Sequence, residues 1–438
     1  MKINSIILSA GKGTRMKSEK PKVIQKILGY EMINLVLKHL NDANITNNIL
    51  VLGYKKDEII EAIDNYVYDF VIQEEQLGTG HAVKICKDVL ENEEGITIIT
   101  CGDTPLIRAE TYKQLIQKHN KQKNKMTILT AIVDNPTGYG RIVRNDVGLV
   151  SAIIEEKDAS DKIKMINEIN GGIYCFDNKT LFKYIDQIDN NNAQNEYYLT
   201  DLVKIFNENN EVVSTFVLKD NKEIVGVNDL NYLEKATTIL KNRIFDELSA
   251  NGVVIMDRNN TYIGPKVKIG KETVIYPNNV IFGDVVIGEK NVLKSGNNIF
   301  DSSIGNQNEI GPMAHIRNNS IIMDNCRVGN FVEIKKSILK NKTKCAHLTY
   351  IGDSEIGENV NIGCGVITAN YDGKNKYKTV IGDNCFIGSN TTLIAPINIE
   401  NDVFIAAGST ISLDEIEKDK LVIARAREVI KERGNYEY

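Results

Sequence analysis

No stretch of this chain approaches the roughly 20 consecutive apolar residues that a bilayer-crossing helix needs. The longest apolar run near the start, Ile3 to Ala10, contains Asn4 and leads straight into a loop bearing Lys12 and Arg15, so neither a signal peptide nor a membrane span is expected. Its 53 Lys and Arg form no dense run, and against 58 Asp and Glu they leave a net charge of -5. That balance argues against a nucleic-acid surface and makes any bound phosphate that of a small molecule. Seven cysteines, at 86, 101, 175, 326, 345, 364 and 385, include no Cys-x-x-Cys pair. Zinc or dithiol chemistry is therefore unsupported, and a reducing cytoplasm fits best. Aromatics are few at 7%, but 42% hydrophobic and 25% charged residues are ordinary globular usage, which excludes a disordered or fibrous chain. At 438 residues the length suggests two or three domains, each able to bury its own core.

Up to about residue 228, short apolar runs alternate with longer amphipathic ones: Ile3–Ser9, Met32–Leu40, Ile49–Leu52, Asp57–Ile63 and Phe70–Gln73. Strand followed by helix, repeated, implies a mostly parallel sheet covered by helices. Ligands bind such sheets at the carboxyl ends of the strands, which directs attention to the loops after Ile3–Ser9 and Ile96–Thr100. Leu230–Leu248 carries apolar residues at helical spacing and stops before Asn251-Gly252, as a connecting helix would. Beyond it the texture changes. An aliphatic residue recurs every sixth position from Ile263 through Ile299, resumes from Ile304 to Ile334, and again from Ile381 to Ile411. Aliphatic-Gly pairs such as Ile269-Gly270, Ile310-Gly311 and Ile387-Gly388 mark this as a hexapeptide parallel β-helix. Asn370 to Lys376 breaks the period and is expected as a loop thrown out of the prism, a common place for a binding face. The expected domains are 1–228, a linker helix 229–250, and 251–438.

The first strand runs into Ala10-Gly11-Lys12-Gly13-Thr14-Arg15-Met16, with Pro21-Lys22 further on. No Walker A motif can be laid over this loop, and Met16 stands at the third glycine position of the dinucleotide fingerprint. A glycine-rich turn alone has a structural reading as ready as a functional one. Here glycines let backbone N–H groups approach phosphate oxygens while Arg15 and Lys22 bring two cations to the same loop end. The string Gly-x-Gly-Thr-Arg-Met with Pro-Lys downstream resembles the signature of sugar-1-phosphate nucleotidyltransferases. That resemblance implies a Rossmann-like α/β domain in which Leu8, Ser9, Ala10 and Gly11 meet UTP. Gln73 and the segment Gln76 to Ala82, with Gly78 and Thr79, would contact the base; His81 is expected to cap or pack. Asp103 ends an apolar strand, where a turn-capping role is the plain alternative. The resemblance pairs it with Asn228 as ligands of Mg²⁺, a hard cation that needs few protein oxygens. Gly140, Glu155 and Asn170 would hold the sugar.

Within the repeats lie Asn330-Phe331-Val332-Glu333-Ile334-Lys335-Lys336, Ala346-His347-Leu348-Thr349-Tyr350-Ile351-Gly352-Asp353, Asn359 to Gly363, and Asn370-Tyr371-Asp372-Gly373. A lone histidine is more often structural, but this one stands among cations, a tyrosine and asparagines. Together these strings resemble the acetyltransferase domain of the bifunctional N-acetylglucosamine-1-phosphate uridyltransferase/glucosamine-1-phosphate N-acetyltransferase family, and the likeness then spans nearly the whole chain. It implies a left-handed β-helix assembled as a homotrimer. His347 would be general base, suited by an unperturbed pKa of about 6.5. Arg317 and Lys335 would clamp the sugar phosphate, with Tyr350 and Asn361 orienting the sugar. Cys364, Asn370, Tyr371, Ser389, Ala407 and Arg425 would meet acetyl-CoA in a groove between chains. The implied sequence is acetylation of glucosamine-1-phosphate, then uridylylation of N-acetylglucosamine-1-phosphate by UTP.

Several positions depart from the family pattern: Ser9 and Cys364 where alanine is usual, Cys101 for tyrosine, Gly171 for threonine and Asn195 for glycine. None removes a charged catalytic group. Two other readings stand beside the bifunctional one. The β-helix would be non-catalytic in the first, against which Arg317, Lys335 and His347 weigh. The second is a non-catalytic scaffold, against which the complete Gly11 to Lys22 loop with Asp103 and Asn228 weighs.

Overall fold

The computed structural model describes residues 2–426 and Ile430; the tail, for which the family likeness assigns no contact, otherwise lies outside them. Two compact units divide the chain between Leu240 and Lys241, inside a helix that runs from Leu230 to Ala250. Among the described residues no helix is long and apolar enough to cross a membrane.

In the first unit, runs rich in Ile and Val form strands because β-branched side chains pack well on a pleated surface. These are β1 (Ile3–Leu8), β2 (Asn47–Leu52), β3 (Asp69–Ile72), β4 (Ile96–Cys101), β5 (Met126–Ile132), β6 (Arg141–Arg144), β7 (Val150–Ile154), β8 (Glu168–Asp177) and β9 (Val213–Val217). The main sheet has the order β9-β5-β8-β4-β1-β2-β3. It is parallel except for β8, which runs antiparallel between β4 and β5. This reversal positions the site: Tyr174 pairs with Ile99, so the start of β8, around Asn170, arrives at the carboxyl end of β4. Strands β6 and β7 form a hairpin attached to β8 through the pair Ile169 and Arg141. Alternate residues of β1 and β2 feed cores on opposite faces, Ile6 and Ile49 on one and Ile7 and Leu50 on the other. Helix α1 (Met32–Asp42) covers the second face with Ile33, Val36, Leu37 and Leu40, and α2 (Lys56–Ala62) adds Ile59.

The second unit stacks three parallel sheets of ten, nine and nine strands, each only two to four residues long. One side chain per strand points inward, and like residues superpose in register: Ile263 on Ile281, Ile281 on Ile299, Ile299 on Ile316. Each such isoleucine is essentially inaccessible, and burying it contributes about 2 kcal/mol of hydrophobic stabilisation. A single coil buries little, so stability comes from stacking neighbours. This is a left-handed β-helix of hexapeptide repeats. The predicted interruption is where the register lengthens: Asn361 pairs with Phe386, whereas Phe386 pairs with Phe404. The ejected segment is closed at its neck by the Tyr377 amide donating to the Asn370 carbonyl at 2.8 Å.

Candidate active sites

At the carboxyl edge of the first sheet, the ends of β1, β3 and β4 enclose a pocket of about 240 Å³ lined by Leu8, Ser9, Ala10, Gly11, Lys22, Gln73, Gly78, Thr79, Cys101 and Asp103. The predicted nucleotide residues are thus brought together. The Lys22 ammonium is the focus of the pocket: it forms an ion pair with Asp103 and donates to Asn228 Oδ1 at 3.1 Å. Asn228 joins Asp103 because the Val227 amide donates to the Asp103 carbonyl at 2.9 Å. Lys22 and Asp103 side chains keep only 15% and 20% of their exposure, so their attraction is little screened by water.

The segment expected to contact the base is held by backbone. Gly78 has φ 113°, and a Cβ there would lie 2.6 Å from the Tyr197 carbonyl, so only glycine allows this approach. Gln73 Nε2 and His81 Nδ1 lie 3.0 Å apart, a hydrogen bond that ties His81 to the end of β3. Thr79 Oγ1 accepts from the Leu199 amide at 3.1 Å, and the Thr200 hydroxyl donates to Glu155 at 3.4 Å, which links the pocket to the predicted sugar residues. Asn170 donates from its amide to the Gly140 carbonyl at 2.8 Å. Burial holds the Glu155 carboxyl above its ordinary pKa. Arg15, Gly140, Glu155, Asn170 and Asn228 lie outside the pocket lining, and the Arg15 side chain is exposed. Glu196 also lines the pocket, and no motif of the sequence singles it out.

Of the departures, Ser9 Oγ is buried without a hydrogen-bond partner. Burial pushes the Cys101 thiol up to about 12, so it is no nucleophile at neutral pH.

On the β-helix two columns meet. Register places Arg317, Lys335 and Gly352 one above another on the second face. A Cβ at Gly352 would lie 2.4 Å from the Tyr350 hydroxyl, so the missing side chain leaves room for that phenol above Lys335. Arg317 is paired with Glu333 at 2.6 Å, a partner whose role the sequence strings did not reveal. The other column is a corner of the prism. Val328, Cys345, Ile362, Ile387 and Ile405 stack in the first face, and two positions after each come Asn330, His347, Cys364, Ser389 and Ala407. Arg425 extends it by donating to the Ala407 carbonyl at 3.2 Å. His347 is exposed and makes no side-chain hydrogen bond among the described residues, and Asn361 lies on the adjoining first face. Tyr371 is exposed on the ejected loop, its hydroxyl donating to the Gly373 carbonyl at 2.7 Å.

Residues 4–238 match the nucleotidyl transferase family, while residues 301–336 match the bacterial transferase hexapeptide family and 378–412 a hexapeptide repeat of succinyl-transferase. Three curated relatives, each described as bifunctional protein GlmU, align over almost the full length. One from Geobacillus sp. (strain WCH70) is 46% identical over 444 residues, covering 98% of this chain and 96% of its own. One from Exiguobacterium sp. is 45% identical over 444 residues, 98% of each chain. One from Listeria monocytogenes serotype 4b is 44% identical over 440 residues, 97% of this chain and 96% of its own.

This chain belongs to the GlmU family. As a member it is a bifunctional enzyme, with acetyl transfer from acetyl-CoA to glucosamine-1-phosphate and uridylyl transfer from UTP to N-acetylglucosamine-1-phosphate. The two readings in which one or both domains lack activity are thereby set aside. In GlmU terms the first unit carries the nucleotidyl transferase match and the second the hexapeptide matches, so each cluster lies in the domain whose chemistry it suits.

Proposed function

We propose that uridylyl transfer runs at the Lys22 pocket and acetyl transfer at the corner that bears His347. The observation that carries this assignment is the shared corner: five successive coils present Asn330, His347, Cys364, Ser389 and Ala407 in one line, beside the Arg317 and Lys335 column. A base, an acyl-donor track and a phosphate clamp are what acetyl transfer to a phosphorylated amino sugar requires.

In uridylyl transfer a sugar-phosphate oxygen attacks the α-phosphorus of UTP and the bond to pyrophosphate breaks. No protein nucleophile is needed, and catalysis is positioning plus cancellation of growing negative charge. Gly11 and its neighbours offer backbone N–H groups, Gln73, Gly78 and Thr79 seat the base, and Gly140, Glu155 and Asn170 seat the sugar. Lys22 supplies fixed charge, and Arg15 reaches the phosphates from the exposed rim.

Asp103 and Asn228 are the residues that would hold Mg²⁺. Both present an oxygen to one cation already, the Lys22 ammonium, and no trio of His, Cys, Asp or Glu gathers elsewhere among the described residues. One carboxylate and one amide oxygen fit a cation that keeps most of its shell for water and phosphate. When bound, the ion adds charge to the phosphates; Lys22, the Gly11 loop and the base pocket still set the geometry.

In acetyl transfer the sugar amine attacks the thioester carbonyl, the C–S bond breaks and CoA leaves as thiolate. His347 takes the amine proton, Arg317 and Lys335 bind the phosphate, and Tyr350 and Asn361 orient the sugar. Cys364, Asn370, Tyr371, Ser389, Ala407 and Arg425 line the acetyl-CoA track. A cytoplasmic homotrimer completes that track from a neighbouring chain; the exposed stack of Phe386 on Phe404, ring centroids 4.6 Å apart, supports such a face.

The test is a coupled assay with glucosamine-1-phosphate, acetyl-CoA, UTP and Mg²⁺ that follows free CoA thiol and pyrophosphate separately. Both are expected, with pyrophosphate dependent on acetyl-CoA. Pyrophosphate from supplied N-acetylglucosamine-1-phosphate with no CoA release under any condition would overturn the acetyl-transfer assignment.

A further inference from the structure

Asp353 sits where the second face of the β-helix meets the neck of the ejected loop. Its carboxylate accepts a 2.6 Å hydrogen bond from Asn370 Nδ2 and lies 3.6 Å from the Lys335 ammonium. Its carbonyl accepts from the Thr379 amide at 3.3 Å and its amide donates to the Lys335 carbonyl at 3.0 Å. Both sides of the loop neck, before Tyr371 and after Lys378, are thus tied to one residue. The Asp353 and Lys335 side chains are 11% and 14% exposed, so the pair is strongly coupled, whereas Lys336, also near Asp353, is 72% exposed and contributes little. Lys335 has no other ion-pair partner among the described residues.

We propose that Asp353 is a positioning residue for acetyl transfer, one carboxylate that aims Lys335 in the sugar-phosphate subsite and Asn370 in the acetyl-CoA subsite at the same time. This rests on the site assignment made above. The chemistry follows from the donor inventory. A carboxylate only accepts, so it selects the NH₂ end of the Asn370 amide and leaves the carbonyl oxygen free for an N–H of a bound substrate. It also holds a largely buried ammonium in place; without it that charge has no partner and turns toward water. Tethering Asn370 fixes the start of the loop that carries Tyr371.

The experiment uses the full-length protein with Asp353→Asn, Asp353→Ala, Lys335→Ala and Asn370→Ala. CoA release is measured as each acetyl-transfer substrate is varied, with uridylyl transfer and thermal melting measured alongside. Asp353→Asn keeps the size and an acceptor oxygen but loses the charge, so it serves where Asp353→Ala fails to fold. A positioning role predicts that either Asp353 variant raises KM for both glucosamine-1-phosphate and acetyl-CoA by roughly tenfold, the loss of one charge-assisted contact at each. Lys335→Ala should raise only the first and Asn370→Ala only the second, with uridylyl kinetics unchanged throughout. Adding Asp353→Asn to Lys335→Ala should raise the sugar KM no further. Folded Asp353→Asn with both KM values within about twofold of the parent would overturn the inference while Lys335→Ala still behaves as stated. Loss of melting temperature with KM unmoved would overturn it too, leaving a structural clasp. If Lys335→Ala and Asn370→Ala themselves move neither KM, the site assignment fails and the inference falls with it.

Discussion

Lys22 and Asp103, 81 positions apart in the chain, meet in an ion pair at the carboxyl edge of the sheet, and Asn228 accepts from the same ammonium. Three segments that share no sequence neighbourhood therefore converge on one point of charge. That point lies within the pocket that also holds Gly11 and Gly78.

Replacing Asp103 with Ala should lower uridylyl transfer by about a hundredfold or more, because one preorganised electrostatic contact of this kind carries that much rate. Acetyl transfer, which uses the other unit, should stay at the parental rate. Pyrophosphate release and CoA release, measured on one preparation, check both halves of the statement.

Removing divalent metal with a chelator should stop pyrophosphate release and leave CoA release intact, since Asp103 and Asn228 are the only candidate ligand pair assigned and both lie in the first unit. Adding Mg²⁺ back should restore the activity. Chelator-sensitive acetyl transfer would contradict the assignment.

His347→Ala should reduce acetyl transfer by roughly 10² to 10⁴, the usual contribution of a general base. Uridylyl transfer from supplied N-acetylglucosamine-1-phosphate should persist. Loss of both activities in a folded variant would contradict independent sites.

Gly352→Ala places a Cβ 2.4 Å from the Tyr350 hydroxyl, and the phenol has to move. The expected result is a higher KM for glucosamine-1-phosphate and a loss of about 1 to 3 kcal/mol in the β-helix, the range for overpacking. Urea unfolding of the variant beside the parent, with acetyl-transfer kinetics, reads both.

Asp201, half-buried near Asp189 and Asp158, has its pKa raised from 3.8 to about 6, first by burial and then by those two carboxylates. The native state therefore holds the proton more tightly than the unfolded chain. Stability from this group is fully present below the unfolded pKa and is lost as pH rises through the window from 3.8 to about 6. Asp201→Asn removes that penalty. Its gain over the parent should grow across this window to on the order of 1 kcal/mol at neutral pH, after allowance for solvent screening. Urea melts of the first unit at pH 4 and pH 7 would show a constant difference if the carboxylate were unperturbed.

Much of this molecule was determined by local pattern. The six-residue spacing of Ile263, Ile269 and Ile275 dictates an inward stack, because a side chain that recurs once per short strand has one direction to face. The break at Asn370 to Lys376 likewise marked an ejected loop, and Gly11 to Lys22 stood out as the segment whose two ends line the first-unit pocket. Alternating runs in the first unit implied a mostly parallel sheet. What tertiary structure decided was where distant segments meet. The antiparallel course of β8, which brings Asn170 to the end of β4, depends on strand pairing that no local period encodes. Arg15 and Lys22 read as equal cations in sequence, but only Lys22 enters the pocket, because what faces a side chain is set by the opposing strands. His347 and Ala407 are 60 positions apart, and they share a corner only because coils stack in register. Asp353 closes the string that starts at Ala346 with no role of its own in sequence, and it gains one only because the coil beneath it supplies Lys335 and the loop neck supplies Asn370. The physical reason is common to all four: composition and period fix which way a side chain faces along its own strand, while the partner it meets is contributed by chain that is remote in sequence.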